Sequence, residues 1–201
     1  QLSTSFSNHV LDATKAWDLI LSDEAEVDGL PETLLQLASQ SYNDSRSEQI
    51  ESSETSPATP EQGPWRFTLD APIAMPFLQH CRKRDLRETL FRAYITRASD
   101  GETDNTPLID EILSLRRERA ELLGFASYAE VSLTSKMAAG VEAVEQMFET
   151  LRDASWEAGN RDLKDLRQLA TESGQEDLLA QWDAAFWAER LREHRFDFTD
   201  E

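Results

Sequence analysis

Residues 106–124 read TPLIDEILSLRRERAELLG. Thr106 followed by Pro107 has the form of an N-cap and a first-turn proline, a place where the missing proline N–H breaks no helical bond. Ile109, Ile112, Leu115 and Leu122 then recur at helical spacing. Gly124 follows, and glycine tolerates the left-handed conformation that ends many helices. With a start, an apolar face and a stop, this stretch predicts a helix, and most of the chain repeats its logic.

Toward the C-terminus, Ser127 and Glu130 have the spacing of a capping box over a short helix. From Val141 the apolar positions Val144, Phe148 and Leu151 keep the helical period, and Leu163, Leu166 and Leu169 resume it beyond Gly159. That pattern predicts one long helix kinked near Gly159, or two in succession, ending at Gly174. A last helix opens at Trp182-Asp183 and runs through Phe186, Trp187 and Leu191 to His194.

Toward the N-terminus, Ser99–Asn105 is a polar loop, and Asp85 with Glu88 has capping-box spacing ahead of Leu86, Leu90 and Tyr94. Pro76 opens a short helix through Gln79–Cys81. Trp65-Arg66-Phe67-Thr68-Leu69-Asp70 alternates apolar and polar residues and is the one convincing strand, closed by Pro72. Before it, Ser41–Gly63 is rich in Ser, Glu, Thr and Pro; such a stretch buries little and reads as a flexible low-complexity insertion over 41–63. Pro31 opens a helix carrying Leu34, Leu35 and Leu37. Phe6, Val10, Ala13, Trp17, Ile20 and Leu21 form a single helical stripe that begins almost at Gln1 without a cap, as expected of a cut through a longer helix. The expected fold class is therefore all-α, mainly helical, with at most one short strand near 65–70. Residues 1–201 are expected to form a single helical segment.

Composition narrows the function. Lys and Arg total 20 against 39 Asp and Glu, a net charge of −19 over 201 residues. A surface this acidic is unsuited to nucleic acid and to anionic membranes, where basic side chains must neutralise phosphate. No run approaches the roughly 20 apolar residues of a membrane-spanning helix. The lone cysteine, Cys81, excludes an internal disulfide and fits a reducing compartment.

Catalytic constellations are scarce. A zinc hydrolase commonly carries two histidines at i and i+4 on a helix, but His9, His80 and His194 each lack such a companion. His80 and Cys81 are adjacent, and sequence neighbours on a helix do not face one another, so a nucleophile–base dyad is disfavoured. Arg82-Lys83-Arg84 lies at a junction between helices and reads as a solvated turn. The seven glycines are isolated, so there is no phosphate cradle. The five tryptophans read as core residues.

The order of segments nevertheless resembles a known family. Ser5–Thr14, Asp23-Glu24-Ala25 with Gly29-Leu30-Pro31-Glu32, Trp65 with Thr68-Leu69-Asp70-Ala71-Pro72, Arg92–Asp100 and Asp104-Asn105-Thr106-Pro107 are similar to the oligopeptidase A branch of the thimet oligopeptidase family. Glu111–Arg116, Leu122-Leu123-Gly124-Phe125, Tyr128-Ala129, Ser132-Leu133, Lys136-Met137-Ala138 and Trp182-Asp183 continue the resemblance co-linearly across nearly the whole chain, with 41–62 as an insertion. The resemblance implies part of a zinc-dependent oligopeptidase that hydrolyses short peptides in a channel between two helical halves. Its zinc site, an H-E-x-x-H motif with a further Glu, lies downstream of the matched region, so zinc belongs to the parent enzyme and none is expected on these residues.

The segment is thereby expected to form channel wall and scaffold in the non-catalytic half, with no catalytic or metal residue of its own and to be inactive alone. Arg97 and Asp100 are the candidate loop or hinge contacts, orienting the Tyr94–Asp100 loop or pairing across halves; a local helix-end role is the alternative. Short peptides are the expected partners of the parent, with a monomer favoured, and a cytoplasmic, chloroplast or mitochondrial location is implied. A free-standing acidic helical scaffold or interaction module is the competing reading.

Overall fold

The computed structural model describes residues 1–47 and 56–196. In chain order the elements are α1 (Leu2–Ala16), β1 (Asp18–Leu21), α2 (Glu32–Ser47), β2 (Trp65–Thr68), α3 (Ala71–His80) and α4 (Arg84–Ile95). After a 3-10 turn at Gly101–Thr103 come α5 (Thr106–Leu122), α6 (Tyr128–Leu133), α7 (Val141–Glu172) and α8 (Gln181–Phe196). The fold is mainly helical, as the periodicity predicts.

The described residues contain two strands rather than the single one expected. The stripe assigned to one N-terminal helix breaks at Trp17, and Asp18–Leu21 pairs antiparallel with β2, Asp18 opposite Thr68 and Leu21 opposite Trp65. Arg66 Nε reaches the Asp18 carboxylate at 2.7 Å across the pair. Four residues are too few to separate a period of 2 from one of 3.6, and the partner that decides the matter lies far along the chain.

Helix ends show similar local departures. α3 begins at Ala71, with Pro72 in its first turn and Pro76 inside it, so it starts earlier than Pro76 alone suggests. The N-cap of α4 is Lys83, without a side-chain capping bond, which leaves Asp85 in the first turn where its charge meets the helix dipole. α5 is capped one residue before Thr106: Asn105 occupies the N-cap, and the Asp104 carboxylate accepts the Thr106 N–H at 2.9 Å. The second capping box forms in part as expected, Ser127 Oγ accepting the Glu130 N–H at 3.3 Å while the Glu130 carboxylate reaches back to the Ala126 N–H. α7 passes through Gly159 unbroken and stops at Gly174, whose φ of +91° permits the Gln175 N–H to bond the Ala170 carbonyl.

The flanks of the expected insertion are also structured. Ser41–Ser47 continues α2, and the Asn43 side chain both donates to the Ala58 carbonyl (3.0 Å) and accepts the Ala58 N–H (2.9 Å). Residues 48–55 lie outside the described residues.

The chain divides into two compact units, one of Gln1–His9 with Ser99–Asp165 and one of Val10–Ala98 with Leu166–Glu201. The second holds the core. Leu21, Leu34, Trp65, Phe67, Phe77 and Leu90 from β1, α2, β2, α3 and α4 pack together with Leu69 just after β2, and Phe67 meets Phe77 edge to face at 4.7 Å. α8 packs on α3 and α4, and Phe186 with Trp187 joins Ala170 at the end of α7 in a smaller cluster. The first unit is different. α5 packs on α6, yet among its described residues only Asn105, Ala120 and Val131 are buried.

Candidate functional site

The most highly built polar site is an ion cluster where α4 meets α8. α4 places Arg84 and Arg87 one turn apart on the same face, and α8 places Asp183 in its own first turn. Asp183 is fully buried, and so is Arg87, at 2% exposed. Its carboxylate accepts from Arg84 Nε (3.1 Å to each oxygen), Arg84 Nη2 (3.0 Å), Arg87 Nη2 (2.8 Å) and the Ala180 N–H (3.0 Å). Burial alone pushes this carboxyl up. The hydrogen bonds from Arg84, the Ala180 N–H and Arg87, with the Arg84 charge, outweigh it and hold Asp183 below the usual carboxylate range.

The second charge is absorbed nearby. Arg84 Nη1 also pairs with Asp177 at 3.0 Å, and Arg87 Nη1 donates to the Cys81 carbonyl at 2.8 Å. The guanidiniums sit over aromatic rings, Arg87 at 4.2 Å from the Phe186 centroid and Arg84 at 5.7 Å from Trp182. At its centre the cluster is buried and almost fully paired, Arg87 Nε being the one buried donor there without a hydrogen-bond partner among the described residues. The cluster fixes α8 against α4, and its central carboxylate, Asp183, is buried away from any substrate while the exposed Asp177 is tied up with Arg84. Its arginine also corrects the solvated-turn reading: Arg82 stays at the surface with Asp28, but Arg84 turns inward.

Arg97 is half-buried. Its Nε donates to the Tyr94 carbonyl at 2.8 Å, its Nη1 reaches Thr14 Oγ1 at 3.2 Å, and the guanidinium lies 3.9 Å from the Tyr94 ring centroid. These contacts tie the end of α4 to α1. Asp100 is exposed and precedes the 3-10 turn without a side-chain capping bond.

His9, His80 and Cys81 are all engaged structurally. His9 Nδ1 donates to Asn105 Oδ1 at 3.0 Å, and Asn105 Nδ2 donates to the Phe6 carbonyl at 3.1 Å, which staples the middle of α1 to the N-cap of α5. Arg190 Nη2 donates to His80 Nδ1 at 3.2 Å. Cys81 is fully buried and burial pushes its thiol up to about 11. A thiol so protonated is a poor nucleophile.

Residues 77–201 match the model for Peptidase family M3. The chain belongs to this family.

Oligopeptidases A from plants and bacteria align over all of this chain. It is 45% identical over 203 residues to Organellar oligopeptidase A, chloroplastic/mitochondrial, of Arabidopsis thaliana, of which it covers 24%. It is also 45% identical to the Probable cytosolic oligopeptidase A of the same plant, covering 28% of it. Against Oligopeptidase A of Escherichia coli (strain K12) the identity is 37% over 206 residues, again 28% of that protein. The chain thus spans about a quarter of the length of the curated relatives it matches. Family M3 is zinc-dependent, and among the described residues no group of three or more His, Cys, Asp or Glu side chains converges to hold a metal ion. These residues do not fit a zinc site. No helix among them is long and apolar enough to cross a membrane.

The Arg84–Arg87–Asp183 cluster escaped the sequence reading. The available signal was the pair of arginines three apart on a predicted helix, together with an aspartate beside tryptophan at the mouth of another.

Proposed function

We propose that this chain is part of an M3 oligopeptidase that hydrolyses peptide bonds in short peptides, and that it acts there as scaffold and channel wall rather than as reacting site. The similarity to oligopeptidases A along its whole length carries the reading. The site geometry supports it, because the best-organised polar groups lock helices together and His9, His80 and Cys81 are held in structural contacts. Zinc and the catalytic base would be supplied by residues outside these 201. In this role Arg97 orients the chain leaving α4 by binding the Tyr94 carbonyl, and Asp100 is a surface contact of the following loop. The parent is proposed to be monomeric and cytoplasmic, with a chloroplast or mitochondrial location as the alternative that the organellar relative favours.

The test is hydrolysis of an internally quenched short peptide by the full-length protein. Cleavage abolished by a chelator and restored by zinc is the expected result. Failure to cleave any short peptide when zinc-loaded would overturn the reading and favour a non-catalytic scaffold.

A further inference from the structure

The unit built from Gln1–His9 and Ser99–Asp165 carries an apolar surface it does not itself cover. α7 is the clearest case. Val144, Met147, Phe148, Leu151 and Ala158 follow the i, i+3, i+4, i+7 and i+14 spacing of one helical face. Met147, Phe148 and Leu151 are nonetheless 51%, 60% and 57% exposed. Clusters of large apolar side chains on one face are uncommon on finished protein surfaces and mark places where another element packs. The charges lie on the other side of the helix: Glu142, Glu149 and Asp153 stand nearly opposite the stripe, and Arg152 pairs with Glu149 and Asp153.

We propose that this face of α7, over residues 144–158, is an internal interface covered in the full-length protein by an amphipathic helix of the same polypeptide from outside these 201 residues. The inference rests on the proposed membership of a longer peptidase. The relatives supply the room for such an element, since this chain matches only 24–28% of their length. The spacing of the stripe is that of a helix–helix seam, which selects a helix over a loop or strand.

The experiment is hydroxyl-radical footprinting of the full-length protein, read at Met147, Phe148 and Leu151. The expected result is modification at least about ten-fold slower than for the same residues in the urea-unfolded protein, with no dependence on protein concentration. Modification within about two-fold of the unfolded rate would overturn the proposal, because the face would then be open. Protection that appears only as concentration rises would overturn it equally, since the occupant would be a second copy. Footprinting is read without substrate, so an inactive protein with a protected stripe would refute the peptidase reading and leave the interface standing.

Discussion

At the scale of the residue, Asp183 is the buried charge that ties α8 to α4. It is a buried carboxylate with two guanidiniums, and removing one partner of such a group strands the others in a poorly solvating site. Asp183→Ala should therefore destabilise the chain by about 3–5 kcal/mol in urea denaturation at neutral pH. The pH dependence follows from its depressed pKa. Its contribution is present above the unfolded carboxylate value of about 3.9 and is lost as pH falls through the lower folded value. Stability measured from pH 6 to pH 3 should fall less steeply in Asp183→Asn than in the parent sequence. Cys81 gives a second check. With its thiol raised to about 11, it should react with N-ethylmaleimide at pH 7.5 roughly two orders of magnitude more slowly than an exposed cysteine, and at an ordinary rate once unfolded.

At the scale of the element, the small sheet and its approach depend on a tight turn. Gly63 has a φ of +55°, and a Cβ there would lie 2.7 Å from the Trp65 ring, itself 1% exposed. Gly63→Ala should cost about 1–3 kcal/mol, read as a lowered urea midpoint, because the ring belongs to the packed core and cannot yield. The long helices were legible because many apolar positions average out local error, as in Thr106–Leu122 and the first half of α7. β1 was not, since its hydrogen bonds come from β2 and four residues carry little periodic signal. The Asn43 clamp on Ala58 was hidden for a related reason: composition reports how much a stretch buries, not which single side chain ties it down. In the same way Arg84 reads as one charge in a basic run until α8 brings Asp183 against it.

At the scale of the whole molecule, stability is divided unevenly. The unit holding β2, α3, α4 and α8 has the buried clusters, whereas the unit holding α5 and α6 buries few of its described residues. Amide exchange in the 201-residue chain should accordingly be slow in α3 and α4 and faster by orders of magnitude in α5 and α6, as local opening there exposes little new apolar surface. The family was legible in the order of short segments. The reacting site was not, because in this reading its ligands belong to another part of the polypeptide. That division of labour is the central claim, and metal content tests it most directly. A full-length protein carrying His9→Gln, His80→Gln and His194→Gln should bind as much zinc per folded molecule as the unsubstituted protein. Loss of zinc from the folded variant would show that this segment supplies a ligand and would contradict the account.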